Sequence, residues 1–203
     1  MSVLSMRRGL CLVLAGPSGS GKSTVMQRLL DADDGIRQSV SVTTRPPRFG
    51  EIEGHHYFFR SQTQFDELVS SGGLLEHATV FGRSYGILRA PVEAMLAAGT
   101  DVLFVIDWQG YRKLREQLPG DVVGVFLLPP GLDELEARML RRGDAPSDVA
   151  ARMAEADGEL VHRHEFDHTV MNDNLDRAVD GVRGILAAER LDRADAAEPE
   201  EAP

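Results

Sequence analysis

The chain has 203 residues, of which 42% are hydrophobic and 27% are charged, and its formal net charge at pH 7 is −10. This composition is typical of a soluble globular protein, and the length fits one α/β domain with small insertions. The acidic balance argues against broad nucleic-acid binding, which needs a basic surface, and no apolar run is long enough to cross a bilayer.

Cysteine usage and the first residues indicate a cytoplasmic protein. Cys11 is the only cysteine, so we expect neither a disulfide framework nor a cysteine-based metal site. Residues 1–9 include two arginines, but the apolar run that follows is too short for a secretory signal. We therefore expect cytoplasmic residence and small-molecule partners, without nucleic acid or a membrane. The sequence leaves open whether the chain forms a homo-oligomer.

The first predicted element is a buried strand over Leu10–Ala15, which leads directly into a glycine-rich loop. The loop Gly16–Ser23 reads GPSGSGKS and matches the pattern G-x-x-x-x-G-K-S, and a helical pattern begins at Val25. Glycines allow backbone N–H groups to point at a phosphate, and the N-terminus of the next helix adds a partial positive charge. The lysine and the hydroxyl of this pattern can reach the terminal phosphates and Mg²⁺.

This loop predicts a nucleoside triphosphate site. The alternative is a glycine-rich turn that binds nothing, and it is disfavoured because the lysine, the hydroxyl and both flanking elements occur together. We expect contacts with the triphosphate from Gly16, Ser18, Gly19, Ser20, Gly21, Lys22, Ser23 and Thr24.

Further along the chain, short continuous apolar runs alternate with helical patterns. The runs lie at Val102–Ile106, Val122–Leu128 and Thr169–Met171, and continuous hydrophobicity indicates strands that are covered on both faces. Strands that alternate with helices in this way predict right-handed crossovers and an α/β fold with a doubly wound parallel sheet.

Two segments interrupt this alternation. Residues 39–86 contain one convincing helical pattern, around Phe65, and the rest is expected to form short strands and turns. The second segment, residues 138–152, carries four arginines around a glycine and a proline. At the end of the chain, the last ten residues are acidic and include two prolines, which is typical of a disordered tail. The predicted organisation is a phosphate-loop core at 1–38, 87–137 and 153–190, an inserted segment at 39–86, a helical lid at 138–152 and a disordered acidic tail at 191–203.

The inserted segment contains a candidate phosphate clamp. Arg45 and Arg48 lie three residues apart on a loop stiffened by prolines, and they can form a fork suited to one phosphate group. Tyr57 and Tyr85 lie beside histidine or glycine in turn-like contexts, where a phenol can donate to a phosphate oxygen. Each signal is weak alone, because exposed arginines are usually solvated and tyrosines usually belong to the core.

The histidines are weak candidates for a metal site. His55 and His56 lie in the inserted segment, and His162, His164 and His168 straddle a predicted helix end and a turn without a supporting set of carboxylates. We therefore do not expect a histidine-based metal site.

Beyond the phosphate loop, the sequence resembles the guanylate kinase family over residues 10–188. The matching strings are GPSGSGKST at 16–24, SVSVTTRPPRFGE at 39–51, Gly54–Tyr57, LLEHATVFG at 74–82, SYG at 84–86, IDWQG at 106–110, FLLPP at 126–130, RMLRRG at 138–143 and VMND at 170–173. Phosphate-loop proteins in general share only the first string. Related scaffold domains lack an intact phosphate loop, so the resemblance favours an enzyme.

The resemblance implies a role for each matching residue. It implies catalytic roles for Lys22, Arg45, Arg138, Arg142 and Arg152, the last three as lid arginines that close on the triphosphate. It implies that GMP is bound by Ser41, Arg45, Arg48, Tyr57, Glu76, Tyr85 and Asp107. In that set, Glu76 accepts hydrogen bonds from the guanine N1–H and the exocyclic amine. It also implies that Ser23 and Asp107 hold Mg²⁺ and that Asn172 lies beside the adenine of ATP.

The implied reaction transfers the γ-phosphoryl group of ATP to GMP, with Mg²⁺ as cofactor and ATP as phosphoryl donor. The sequence departs from the family pattern at Ile87, where Ser or Thr is usual, at Val105, where an acidic residue is usual, and at Arg83, where Asn is common. Two alternatives therefore stay open. One is a kinase for a different phosphorylated acceptor, such as another nucleotide, a nucleotide analogue or a sugar phosphate. The other is a non-catalytic interaction module.

Overall fold

The computed structural model describes residues 7–80 and 82–197 of the chain. In chain order the strands are β1 (Cys11–Ala15), β2 (Ile36–Gln38), β3 (Ser41–Thr43), β4 (Phe58–Phe59), β5 (Leu74–Val80), β6 (Arg83–Leu88), β7 (Asp101–Val105), β8 (Val122–Leu128) and β9 (His168–Met171). The helices are α1 (Lys22–Ala32), α2 (Gln62–Ser70), α3 (Arg89–Ala97), α4 (Trp108–Gln117), α5 (Leu132–Arg142), α6 (Pro146–Leu160) and α7 (Leu175–Ala197), and a short 3-10 helix covers Val161–Glu165. Within the described ranges, no helix combines the length and the apolar character needed to span a membrane.

Five strands form a parallel sheet in the order β2-β7-β1-β8-β9. β1 lies at the centre of this sheet and is fully buried, because helices cover both faces. The predicted α/β fold with a doubly wound parallel sheet is confirmed, and β1, β7, β8 and β9 begin and end within one residue of the predicted runs. Since the strands are parallel, their carboxyl ends meet at one edge, where such sheets bind ligands.

Alternate residues of β1 face two separate hydrophobic cores. Leu12 and Leu14 pack with residues of α1 and α7 such as Val25 and Val182, whereas Val13 packs with residues of α3 and α4. Burial of each large aliphatic side chain contributes about 1.5–3 kcal/mol relative to exposure. The two cores therefore hold β1, and the loop that follows it, in a fixed position.

The segment between β2 and α3 forms a second sheet in the order β4-β3-β6-β5. β6 runs antiparallel to β3 and β5, and α2 contributes Phe65 to a small core with Val42 and Leu74. α2 begins with a capping box, in which the side chains of Ser61 and Gln64 accept each other's backbone N–H groups. The short strands and the helix predicted here are present, but β6 continues to residue 88, so the predicted boundary at 86 falls inside a strand.

The segment predicted as a lid consists of the end of α5, the connection at 143–145 and the first half of α6. Gly143 ends α5 in the left-handed conformation (φ 88°), which glycine adopts without steric cost. Arg141 and Arg142 lie in the last turn of α5, where positive charge complements the helix dipole. Because α6 is continuous from Pro146 to Leu160, the predicted lid boundary at 152 falls inside a helix.

The last helix is longer than the sequence predicted. The prediction of a disordered tail is wrong for residues 191–197, because α7 continues to Ala197. This stretch is rich in alanine, which has the highest helix propensity, and Arg193 pairs with Glu189 one turn earlier (3.9 Å). Residues 198–203 of the predicted tail lie outside the described residues.

A network of charges around Asp101 holds the amino-terminal edge of the parallel sheet. The carboxylate of Asp101 is fully buried and accepts hydrogen bonds from Arg7 (2.8 and 3.0 Å), from the N–H of Leu10 (3.0 Å) and from Nε of Arg190 (2.7 Å). Arg190 also donates to Asp33 (2.7 Å). The buried charge is therefore compensated by partners from several segments of the chain.

We expect Asp101→Asn to lower the free energy of unfolding by about 3 kcal/mol, because loss of one member of a buried ion network leaves the others without a counter-charge. Asp180→Asn is the matched control, because the Asp180 side chain is 76% exposed and lies 3.8 Å from Arg183 in a surface pair. That variant should change the free energy by less than about 0.5 kcal/mol. Urea unfolding followed by circular dichroism measures both. Equal destabilisation would contradict the role assigned to Asp101.

Candidate active site

The phosphate loop, residues 16–23, runs from the carboxyl end of β1 into α1. Gly16, Gly19 and Gly21 all have positive φ angles (134°, 85° and 98°), which glycine adopts most easily. Two of these glycines also face close neighbours. A Cβ on Gly16 would lie 2.4 Å from the carbonyl oxygen of Leu127, and one on Gly21 would lie 2.2 Å from Nδ2 of Asn172. The loop therefore requires glycine both for its conformation and for its packing.

The side chain of Lys22 folds back over the loop. Its Nζ donates to the carbonyl oxygens of Gly16 (2.5 Å) and Pro17 (3.0 Å). Burial lowers the pKa of this ammonium group, and the nearby carboxylates of Glu159 and Asp107 oppose that shift. An ammonium group has three N–H donors, so one remains for a ligand while two bond to the loop.

A cavity of about 520 Å³ opens in front of the loop. The predicted residues in its wall are Ser18, Gly19, Gly21, Lys22, Ser23, Thr24, Arg138, Arg142 and Asn172. Gly16 and Ser20 were also predicted to contact the triphosphate, but they lie outside the cavity wall, and Ser20 is fully buried. Leu175, at the start of α7, adds an apolar surface that the sequence did not predict.

Asn172 supports the phosphate loop from behind. This residue is 4% exposed, and its Nδ2 donates to the carbonyl oxygen of Ser20 (2.7 Å). Its backbone N–H donates to the carbonyl oxygen of Leu128 (2.7 Å), and its own carbonyl oxygen accepts from Nη2 of Arg138 (2.9 Å). Nε of Arg138 also donates to the carboxylate of Glu134 (3.1 Å). The amide that was predicted to lie beside the adenine is therefore bonded to the loop backbone.

The other two predicted lid arginines share one carboxylate. Arg142 donates to Asp144 through Nε (2.9 Å) and Nη2, and Arg152 donates to the same carboxylate through Nη1 (2.8 Å). Nη1 of Arg152 also lies 3.4 Å from the hydroxyl of Ser18 in the phosphate loop. The structure thus brings one arginine from α5 and one from α6 to the same side of the loop.

In the second sheet, the predicted phosphate clamp is partly assembled. Arg45 forms a bidentate ion pair with Glu51 (2.7 and 2.9 Å), and the same carboxylate accepts the backbone N–H of Arg48 (2.6 Å). The Arg45 guanidinium holds the pKa of Glu51 down to about 2. It also lies 5.4 Å from the ring centre of Tyr57, which is 6.1 Å from the ring of Tyr85. Three predicted residues therefore lie together, whereas Arg48 is exposed.

The predicted guanine-binding residues Ser41 and Glu76 lie in one row across the second sheet. Ser41 on β3 is in register with Ile87 on β6, and Ile87 is in register with Glu76 on β5. Ile87 is 3% exposed and belongs to the core beneath α3 and α4. Burial raises the pKa of Glu76, an effect opposed by Lys113 of α4, whose Nζ lies 3.8 Å from the carboxylate. The row therefore has an apolar residue between its hydroxyl and its carboxylate.

Asp107 lies where β7 ends and α4 begins. Its carboxylate caps α4 by accepting the N–H of Gly110 (2.8 Å). The residue is exposed, and its charge affects the pKa of Lys22 in the phosphate loop and of Glu76 in the second sheet. One carboxylate is thus close enough to influence both regions.

Within the part of the chain that the structure describes, no group of three or more His, Cys, Asp or Glu side chains is arranged to hold a metal ion. Two of the histidines have other neighbours. His162 stacks on Trp108 with ring centroids 3.6 Å apart, and His168 lies 3.3 Å from Glu189. A metal ion at Ser23 and Asp107 would therefore need further ligands from a nucleotide or from water.

Several acidic partners at the site were not identified from the sequence. Glu51 lies six residues from Arg45, and Asp144 lies two residues from Arg142, and neither spacing belongs to a regular helical pattern. Glu134 lies four residues before Arg138 and seven before Arg141 within one helix and pairs with both. Helical spacing could therefore have found these pairs, but neither of the others.

The chain is similar to known proteins along nearly its whole described length. The model of the guanylate kinase family matches residues 8–189. The guanylate kinase of Granulibacter bethesdensis is 58% identical over 186 residues, covering 92% of this chain and 87% of the relative. That of Gluconobacter oxydans is 53% identical over 186 residues, covering 91% of this chain and 89% of the relative.

A solved structure agrees with these sequence relatives. The crystal structure of guanylate kinase from Anaplasma phagocytophilum has a TM-score of 0.72 and 37% identity, and the match covers 94% of this chain and 91% of that chain. Both the sequence and the fold of this chain therefore match one family. The chain that matches contains the phosphate loop, the helices α5 and α6 with their arginines, and the second sheet. This chain belongs to the guanylate kinase family.

Proposed function

We propose that this chain phosphorylates GMP to GDP with ATP as the donor. The observation that carries the proposal is the position of α4, whose N-cap is Asp107. This helix follows β7, the neighbour of β1, and its Lys113 reaches Glu76 (3.8 Å) and the carbonyl oxygen of His77 (3.0 Å) on β5, so that the donor region and the acceptor region adjoin. Membership of the guanylate kinase family supports the same activity. The relatives do not favour a different acceptor, and the intact Lys22 and Ser23 argue against a non-catalytic module.

On the donor side, we assign the triphosphate to the cavity in front of the phosphate loop. The loop N–H groups and the N-terminus of α1 offer hydrogen bonds and a partial positive charge to anionic oxygens. Lys22 would exchange the carbonyl oxygens of Gly16 and Pro17 for phosphate oxygens, and the lid arginines would add positive charge from above. Both actions stabilise the charge of the transferring phosphoryl group.

On the acceptor side, we assign one set of groups to the phosphate of GMP and another to the base, and all but Asp107 belong to the segment that forms the second sheet. We assign the phosphate to Arg45, Arg48, Tyr57 and Tyr85, and the guanine to Ser41, Glu76 and Asp107. The Glu76 carboxylate can accept two parallel N–H bonds, which guanine offers through N1 and its exocyclic amine and adenine does not. This residue would therefore decide the choice of base.

The proposed chemistry depends on positioning and charge stabilisation. The second phosphate pKa of a nucleoside monophosphate is about 6, so the attacking oxygen is already anionic at neutral pH and needs no general base. The γ-phosphoryl group would pass in line to that oxygen. We propose that the second sheet, and the lid where α5 ends and α6 begins, close on the core that contains the parallel sheet. Closure would exclude water, which would otherwise hydrolyse ATP.

We propose that Mg²⁺ enters together with ATP as part of the substrate. The Ser23 hydroxyl lies in the cavity wall, and Asp107 is close enough to Lys22 for their charges to interact. Mg²⁺ usually keeps several waters and takes one or two protein ligands besides phosphate oxygens, which suits this pair.

We also propose that the chain acts in the cytoplasm on free nucleotides, without nucleic acid or a membrane. The net charge of −10 would repel polyanions, and a single buried cysteine suits a reducing compartment. Sedimentation of the purified chain would establish whether it is a monomer or a homo-oligomer.

An assay of ADP release tests the proposed function across five acceptors, namely GMP, dGMP, AMP, UMP and CMP. We expect turnover with the two guanine nucleotides and far less with the other three. A preference for another base would support the divergent-kinase alternative. Absence of release with all five would support the non-catalytic alternative.

Lys22→Ala should lower kcat by about 100-fold or more, because the ammonium group stabilises charge that develops during transfer. The fold should be retained, since Lys22 bonds to its own loop and not to either core. Steady-state kinetics and thermal unfolding measure the two effects. Near-normal turnover by this variant would rule out the phosphate-loop mechanism.

Arg45→Ala and Arg48→Ala should each raise the KM for GMP by about tenfold or more and change the KM for ATP far less. The loss is electrostatic, so added salt should reduce the difference from the wild type. Arg60→Ala is the control in the same segment, because Arg60 pairs with the half-exposed Glu53. If either clamp variant affects both substrates equally, the loop does not hold the acceptor.

Glu76→Gln should lower kcat/KM for GMP by a factor that corresponds to about 2–4 kcal/mol, because the new amide N–H would face a guanine N–H. Any activity with AMP should stay unchanged or rise. Glu116→Gln is the control. Glu116 and Glu76 line the same surface cavity, and this substitution also replaces a carboxylate with an amide. An equal loss with GMP and AMP would contradict base recognition by Glu76.

A further inference from the structure

Asp144, in the connection between α5 and α6, is the one acidic residue that contacts two of the proposed lid arginines within the described residues. Its side chain is 16% exposed and lies between two guanidinium groups from different helices. One oxygen accepts from Nε of Arg142 (2.9 Å), and the other accepts from Arg142 Nη2 and from Arg152 Nη1 (2.8 Å). A single carboxylate therefore joins the two arginines.

The carboxylate uses only part of the donor set of each arginine. Arg142 presents its Nε and Nη2 edge to Asp144, and in the described part of the chain its Nη1 has no hydrogen-bond partner. Arg152 uses Nη1 for both Asp144 and Ser18, and no bond from its Nε or Nη2 occurs among the described residues. A guanidinium group has five N–H donors, so both arginines keep donors for phosphate oxygens.

Charge explains why such a carboxylate is useful. Arg142 and Lys22 line the same cavity, and the charge of Arg142 lowers the pKa of Lys22, so these cations repel one another when no phosphate is bound. Arg142 holds the pKa of Asp144 below its usual range, and Arg152 adds to this effect, so the carboxyl group is ionised at neutral pH. Asp144 therefore supplies a negative charge that bonds to both arginines beside this group of cations.

We infer that Asp144 is a positioning residue of the lid, which holds Arg142 and Arg152 in a fixed orientation with their remaining N–H groups available to the transferring phosphoryl group. The inference rests on the proposed function, because it assigns a role within that reaction. A group held in place before the reaction loses less entropy when it meets the transition state. The opposite role is competition, in which the carboxylate withholds the arginines from ATP and its removal would tighten ATP binding.

Asp144→Asn distinguishes the two roles, because the amide keeps the volume, removes the charge and places an N–H beside a guanidinium N–H. We expect kcat to fall on the order of tenfold, with the KM for GMP changed by less than about twofold. Asp148→Asn is the matched control, since Asp148 is exposed, lies in the first turn of α6 and makes no ion pair within the described residues. It should leave kcat unchanged.

A double-mutant cycle with Arg142→Ala tests the contact itself. If Asp144 acts through Arg142, Asp144→Asn should cost less in the Arg142→Ala background than in the wild type. The inference is overturned if Asp144→Asn and Asp148→Asn behave alike, if the two changes at Asp144 and Arg142 are independent, or if Asp144→Asn lowers the KM for ATP at unchanged kcat. Wild-type turnover of GMP in the same assay separates these results from failure of the proposed function, which would abolish turnover before any substitution.

Discussion

The buried amide of Asn172 is the contact on which the geometry of the phosphate loop depends. Asn172 follows β9, bonds to the end of β8 through Leu128, and reaches the loop after β1 through the carbonyl oxygen of Ser20. An unpaired buried amide costs about 1–3 kcal/mol, so the loop cannot move away without leaving polar groups unsatisfied. Gly21 makes the approach possible, because any Cβ there would collide with the amide. Three neighbouring strands therefore fix the position of the phosphate loop.

Most of the cations assigned to the site already have a hydrogen-bond partner within the chain, and the exposed Arg48 is the exception among the described residues. Lys22 bonds to two loop carbonyls, Arg45 to Glu51, and Arg142 and Arg152 to Asp144. A phosphate bound as proposed must displace or join these partners, so its net binding free energy would be a difference between two sets of charge-assisted bonds. Each internal partner limits how far its cation can move, which favours a defined geometry over maximal affinity.

Much of the architecture could be predicted from the sequence, because its signals are local. The strands of the parallel sheet appear as continuous apolar runs, and the phosphate loop is a contiguous pattern with a single conformation. Most partners of the arginines were not predictable. Glu51 and Asp144 lie at spacings from their arginines that no regular element imposes, and the contact between Arg152 and Ser18 joins residues far apart in the chain. Composition alone misjudged residues 191–197, because acidic residues suggested disorder while alanines and the preceding helix stabilise α7.

Asp101 and Asp107 lie at opposite ends of β7, one in the buried charge network and the other beside the proposed substrates. The residues that secure the folded state are thus separated from those assigned to the chemistry by the length of a strand. Substitutions that weaken the network around Arg7, Asp33 and Arg190 would lower the amount of the chain that survives proteolysis in a cell. They would leave the turnover number of each surviving molecule intact. Genetic variation at the two ends of this strand would therefore produce different phenotypes, a lower abundance at one end and a slower enzyme at the other.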